Sequence, residues 1–151
     1  MRALLIGGTG FIGSFLVPEL QRFVAEVAVL TRGRSADAAS RDLTRIIGDR
    51  RQLRDSRAAI RAFAPDVVID LILSSGAQAR ELMNVLRGIA GRVVALSSMD
   101  VYRACGVLHG LEDGPVEPVP LTEQSALRTK LATYPPAQIA NRDAMANPDC
   151  L

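Results

Sequence analysis

Ala3-Leu4-Leu5-Ile6-Gly7-Gly8-Thr9-Gly10-Phe11-Ile12-Gly13 decides how the rest of this sequence is read. Four apolar residues without alternation predict a strand buried on both faces, the habit of parallel sheets. Glycines at 7, 8, 10 and 13 interrupt the apolar block. Beyond them Ile12, Phe15, Leu16, Leu20, Phe23 and Val24 recur at helical spacing. Pro18 falls inside that helix, where it removes one backbone hydrogen bond and is expected to kink it.

The glycines satisfy G-x-G-x-x-G at 8, 10 and 13, and the motif sits between a predicted strand and a predicted helix. Glycine permits the tight turn and a close backbone approach to a pyrophosphate. The first amides of the helix and the positive end of its dipole then face the anion. The loop residues Gly7, Gly8, Thr9, Gly10, Phe11, Ile12 and Gly13 are therefore the first candidates for binding a dinucleotide.

Outward from the loop the pattern repeats. Val27–Leu30, Arg45–Ile47, Val67–Ile69 continuing through Leu71–Leu73, and Val93–Leu96 predict four further strands. Leu53, Ile60 and Phe63 mark a helix ended by Pro65; Leu82, Met83, Leu86 and Ile89 mark another, closed by Gly88 or Gly91. Strands alternating with helices predict an α/β fold, a Rossmann-type doubly wound parallel sheet of about five strands over residues 1–103. Residues 104–121, with three glycines and three prolines, read as an extended loop, and 104–151 as an irregular C-terminal tail.

Composition removes several alternatives. The 151 residues suit one domain. Cys105 and Cys150, far apart and outside any CxxC, give no disulfide scaffold or zinc ribbon. His109 is the lone histidine, which argues against a multi-histidine metal site or a Ser-His-Asp triad. No apolar run reaches the ~18 residues of a membrane span, so a cytoplasmic protein is expected. Residues 1–64 hold eleven arginines against six acids, and residues 65–151 seven basic groups against ten acids. A basic first half points to an anionic ligand held there.

The cofactor type is read at the end of the second strand. An NAD site places an acid about 20 residues past the glycine loop, for the ribose 2′-OH. Here the segment is Leu30-Thr31-Arg32-Gly33-Arg34, with no acid before Asp37. Thr31, Arg32 and Arg34 become candidate ligands, the arginines offering forked donors to a 2′-phosphate, so NADP(H) is favoured over NAD(H). Ser97 and Ser98, at the carboxyl end of the fifth strand, fall where ligands gather in open parallel sheets.

The glycine loop, Arg32-Gly33-Arg34, Gly48-Asp49-Arg50 and Ser97-Ser98-Met99-Asp100-Val101-Tyr102, in that order, resemble the extended short-chain dehydrogenase/reductase family, in particular its NAD(P)-dependent epimerase/dehydratase group. The resemblance covers roughly residues 1–125. It implies that Asp49, with Arg50 beside it, serves the adenine end of the cofactor, that Ile72, Leu73 and Ser74 lie along the cofactor, and that Ser98 helps polarise a substrate. It also implies a catalytic Tyr-x-x-x-Lys pair, and the sequence departs here. Tyr102 is followed four places on by Gly106 and Tyr134 by Gln138, while Lys130, the only lysine, precedes Tyr134. An unassisted tyrosine is a poor base at neutral pH. Relatives run to about twice this length, so a chain cut short, or one whose residues from about 131 replace the usual continuation, is expected to be inactive alone.

Two other readings stand beside this one. A non-catalytic NADP(H)-binding sensor or an RNA- or protein-binding module would use the arginines from Arg41 to Arg61; without interleaved aromatics these read better as a solvated surface. An inert remnant with an open sheet edge would self-associate. A small-molecule substrate is expected only if further chain completes the protein.

Overall fold

The structure, a computed structural model, describes residues 1–24, 26–33, 43–115 and 117–130. The chain divides into two compact units, Met1–Leu96 and Ser97–Leu151.

The first unit runs β1 (Arg2–Ile6), α1 (Phe11–Phe23), β2 (Glu26–Thr31), β3 (Thr44–Ile47), a 3-10 helix (Arg50–Ser56), α2 (Arg57–Phe63), β4 (Val67–Asp70), α3 (Gly76–Leu86) and β5 (Arg92–Ala95). All pairings are parallel and the strand order is β3-β2-β1-β4-β5. The sheet therefore turns back on itself between β1 and β4. Registers Ile6↔Leu30, Ile6↔Asp70 and Asp70↔Ala95 align the carboxyl ends of β2, β1, β4 and β5 along one edge. In such sheets that edge, at that reversal, is where a ligand sits.

The unbroken apolar run of β1 is explained by its two covered faces. Leu4 and Ile6 pack with Leu53, Ile60, Leu82 and Leu86, under the helices between β3 and β5. Ala3 and Leu5 pack with Val17, Leu16, Leu20 and Val24 of α1 and its end. All four strand residues are fully buried, each leucine and isoleucine contributing about 1.5–3 kcal/mol of transfer free energy.

Three local expectations are corrected. The buried seam of α1 is Gly13 and Val17 with Leu16 and Leu20; Phe15 and Phe23 are 67% and 77% exposed. Periodicity marked a stripe of apolar residues, but only part of it packs against β1 and β2. The fourth strand ends at Asp70, and Leu71–Leu73 leave the ladder after the Leu71 amide donates to Ile6 O. The strand stops because β1, its partner, stops at Ile6. The start of the expected loop is also partly helical, since α4 spans Arg103–Leu108.

In the second unit a single 3-10 turn (Met99–Val101) precedes α4. Tyr102 and Leu127 form an antiparallel bridge, with Arg103 N donating to Ala126 O and Arg128 N to Val101 O. The buried Glu112 ties the segment down by accepting from Lys130 N, Thr129 N and Thr129 Oγ1. These bonds, the Lys130 amide foremost, hold its carboxyl below the usual range against the effect of burial. Arg103 pairs with Glu117.

Candidate functional site

The glycine loop follows β1 directly. Gly7 has φ +85°, a left-handed conformation that L side chains rarely adopt, and a Cβ there would lie 2.8 Å from Ile72 Cγ2. Gly10 N donates to Gly7 O at 3.0 Å and closes the turn; Gly10 is then the N-cap of α1 and has no side chain to satisfy the first amides. Those amides and the helix dipole are left for an anion. A Cβ on Gly13 would stand 2.4 Å from both the carbonyl carbon and oxygen of Gly8. Only glycine lets α1 sit this close behind the loop. Phe11 and Ile12 turn their side chains outward, while Thr9 is half-buried in the turn.

Beside the loop, at the end of β2, Thr31 Oγ1 accepts from Gly33 N and Thr31 O from Gly48 N, which draws the β2 and β3 ends together. Arg32 is exposed. Arg34 lies outside the described residues. Asp49 caps the 3-10 helix and is held by its neighbour: Oδ1 accepts from Arg51 N and Nε, Oδ2 from Arg51 Nη2 at 2.8 Å. The Arg51 side chain, then its backbone amide, lower the Asp49 pKa from 3.8 to about 2, with Arg32 adding to the effect and burial opposing it. Because the folded pKa is depressed, the contribution of this pair to stability is complete above about pH 3.8 and is lost as pH falls through about 2. A carboxyl titration followed by NMR is expected to give a midpoint near 2 for Asp49 and a higher one in Arg51→Ala, which loses the guanidinium but keeps the backbone donor.

Arg50 points the other way. It is 6% exposed, and its Nε donates to Asp70 Oδ2 at 2.7 Å while Nη2 donates to Gln78 O at 3.1 Å. The guanidinium is thus inside the fold. Ile72 and Leu73 pack against the core, and Ser74 gives both its amide and its hydroxyl to Gln78 Oε1. The segment 71–75 forms the flank of the glycine loop opposite the β2 end.

In the second unit Ser97 and Ser98 are exposed, and Ser98 Oγ accepts from Asp100 N at the start of the 3-10 turn. Accepting that bond leaves the hydroxyl its proton to donate. Among the described residues no group of His, Cys, Asp and Glu is arranged to hold a metal. Among them, too, no helix is long and apolar enough to cross a membrane.

Sequence reasoning missed Arg51, Asp70 and Gln78. An acid ending an apolar strand was a signal for Asp70. Gln78, polar on an amphipathic helix, carried none.

A glycine turn between β1 and α1, at the reversal of a five-strand parallel sheet, defines a Rossmann-type domain. The profile of the NAD dependent epimerase/dehydratase family matches residues 3–119, and the chain belongs to that family. No curated protein matches the chain. Among solved structures it is similar to a UDP-glucose 4-epimerase of Thermus thermophilus in complex with NAD, at 23% identity and TM-score 0.62, covering 85% of this chain and 44% of that one. A UDP-glucose 4-epimerase of Brucella ovis in complex with NAD matches at 20% identity and TM-score 0.65, over 84% and 41% of the two chains. The UDP-Glc/GlcNAc 4-epimerase of Campylobacter jejuni matches at 18% and 0.64, over 84% and 43%. The chain therefore spans less than half the length of these solved relatives.

Proposed function

We propose that this chain binds a nicotinamide dinucleotide across the carboxyl edge of its sheet, NADP(H) in preference to NAD(H). It is then the cofactor-binding portion of an epimerase, dehydratase or reductase acting on a nucleotide sugar or a similar carbonyl or alcohol compound. The observation that carries this reading is the glycine loop: an uncapped helix start behind a turn that has no room for Cβ atoms at Gly7 and Gly13. An uncapped helix start behind a close glycine turn suits an anion such as a pyrophosphate.

The adenosine half then lies over the β2 end, because the residue after that strand reads the ribose 2′ position. Arg32 offers a cation there, close enough to the Arg51-paired Asp49 to help lower its pKa. Asp49 Oδ2 retains a lone pair with which to accept from the adenine amine. When bound, the dinucleotide supplies a hydride donor or acceptor at its nicotinamide ring. Ser98 is the proposed hydrogen-bond donor toward a substrate oxygen. A tyrosine with a lysine four places on is absent from these 151 residues, so turnover by this chain alone is not expected.

Titration followed by nicotinamide fluorescence tests the reading cleanly, since the chain has no tryptophan. Saturable binding is expected, about tenfold or more tighter for NADPH than for NADH, as one charge-assisted bond to a 2′-phosphate would give. Arg32→Ala is expected to remove most of that difference while leaving NADH binding in place. Equal affinities in the unaltered chain would remove the NADP(H) preference. Binding of neither nucleotide would remove the whole reading.

A further inference from the structure

Asp70 is fully buried at the end of β4, where an apolar side chain would suit its neighbours, and Arg50 is buried against it. Both are closed off from solvent, yet both hold the segment that flanks the glycine loop. Asp70 Oδ1 accepts from Ile72 N at 3.1 Å, so the same carboxylate that receives Arg50 also fixes the first turn of segment 71–75. The other end of the segment is fixed by the same guanidinium, through Nη2 on Gln78 O in the first turn of α3. Gln78 in turn folds its own amide back, taking Ser74 N and Ser74 Oγ on Oε1 and donating its backbone N–H to Ser75 Oγ. The remaining nitrogen, Nη1, has no hydrogen bond and lies 3.8 Å from Glu81 Oε2. One arginine from the β3–α2 connection thus clamps a five-residue loop at both ends.

The location of that loop gives the clamp a use. Ile72 fills the space that a Cβ on Gly7 would occupy, so segment 71–75 abuts the start of the glycine loop on its β4 side. A dinucleotide whose pyrophosphate lies on α1 and whose adenosine lies over β2 must run its nicotinamide half past the β4 end. We infer that Arg50, through Asp70 and Gln78, is a positioning residue that sets segment 71–75 for the nicotinamide half of the dinucleotide while leaving the adenosine half untouched. The inference rests on the dinucleotide reading. A planar guanidinium suits the task, since its donors are fixed in a fork and reach two acceptors without separate ordering of each.

The full chain is titrated with NADPH and with 2′,5′-ADP, which carries the adenosine end and no nicotinamide, and the same is done for Asp70→Asn and Gln78→Leu. Asp70→Asn alters the clamp at its first end; Gln78→Leu releases Ser74 without touching either charge. Far-UV circular dichroism and a melting curve establish that each variant is folded. Loss of about tenfold or more in NADPH affinity, with 2′,5′-ADP affinity held within about twofold in at least one folded variant, is the expected result. A purely structural role would weaken both ligands in parallel, and that result overturns the inference, as would variants that bind NADPH like the unaltered chain. Those results leave the dinucleotide reading standing. If the unaltered chain binds neither ligand, that reading falls and the inference falls with it.

Discussion

Gly13→Ala is expected to destabilise the first unit by about 3 kcal/mol and to lower its melting temperature by about 15 °C. The added Cβ would meet the Gly8 carbonyl carbon and oxygen at 2.4 Å, and both are backbone atoms that no rotamer change can move aside. Either α1 lifts away from β1, thinning the contact of Val17 and Leu20 with Ala3 and Leu5, or the glycine loop shifts. Both outcomes move the first amides of α1 relative to the turn. Dinucleotide affinity is expected to fall about a hundredfold, the equivalent of a similar free energy. Gly10→Ala is the control. Gly10 has φ −84°, and its added Cβ would meet only Gly7 O, at 3.3 Å. Its cost should stay below about 1 kcal/mol. Chemical denaturation of both variants checks the pair, and equal costs would show that close packing at Gly13 is not what matters.

Arg50→Met is expected to cost about 3–5 kcal/mol, because it strands the Asp70 carboxylate in the core with, among the described residues, only the Ile72 amide to receive. Glu81 keeps a 4.0 Å contact with Arg54 and is partly exposed, so little of the loss arises there. The double variant Arg50→Met/Asp70→Leu should recover more than half, since an apolar pair can replace a buried ion pair at little cost in stability. Denaturant unfolding of both singles and the double gives the coupling directly. A double variant as unstable as the sum of the singles would mean that the two side chains act independently.

Stability and position are separable in this pair. A hydrophobic replacement can restore the fold, but it cannot restore the hydrogen bonds that Asp70 and Arg50 make to Ile72 N and Gln78 O. Within the dinucleotide reading, the double variant should therefore be folded and still bind NADPH less well than the unaltered chain does, with its 2′,5′-ADP affinity held.

The order of strands and helices, the buried character of β1 and the glycine turn were legible in the sequence because each is local. Apolar runs cut by glycine carry their own period, and a strand covered on both faces needs no partner to be recognised. Gly7 and Gly13 were singled out by spacing alone, and their need for a missing Cβ agrees with that reading. Other features depend on residues distant in the chain. Phe15 and Phe23 have helical spacing, but their exposure depends on which face of α1 packs against β1 and β2. Leu71–Leu73 have strand character, but pairing ends where β1 ends. The direction of Arg50 had no local signal at all. Its neighbour Asp49 engages Arg51 two residues on, whereas Arg50 crosses twenty residues to Asp70.

By itself, then, the sequence determined an α/β chain with a glycine turn between its first strand and first helix, since turn chemistry and hydrophobic period are written in consecutive residues. Only the tertiary structure decided which charges stay in water and which go inside, because burial is a property of what other segments bring alongside. Arg51 ends beside Asp49 at the surface and Arg50 beside Asp70 in the core, although the two arginines are adjacent in the chain.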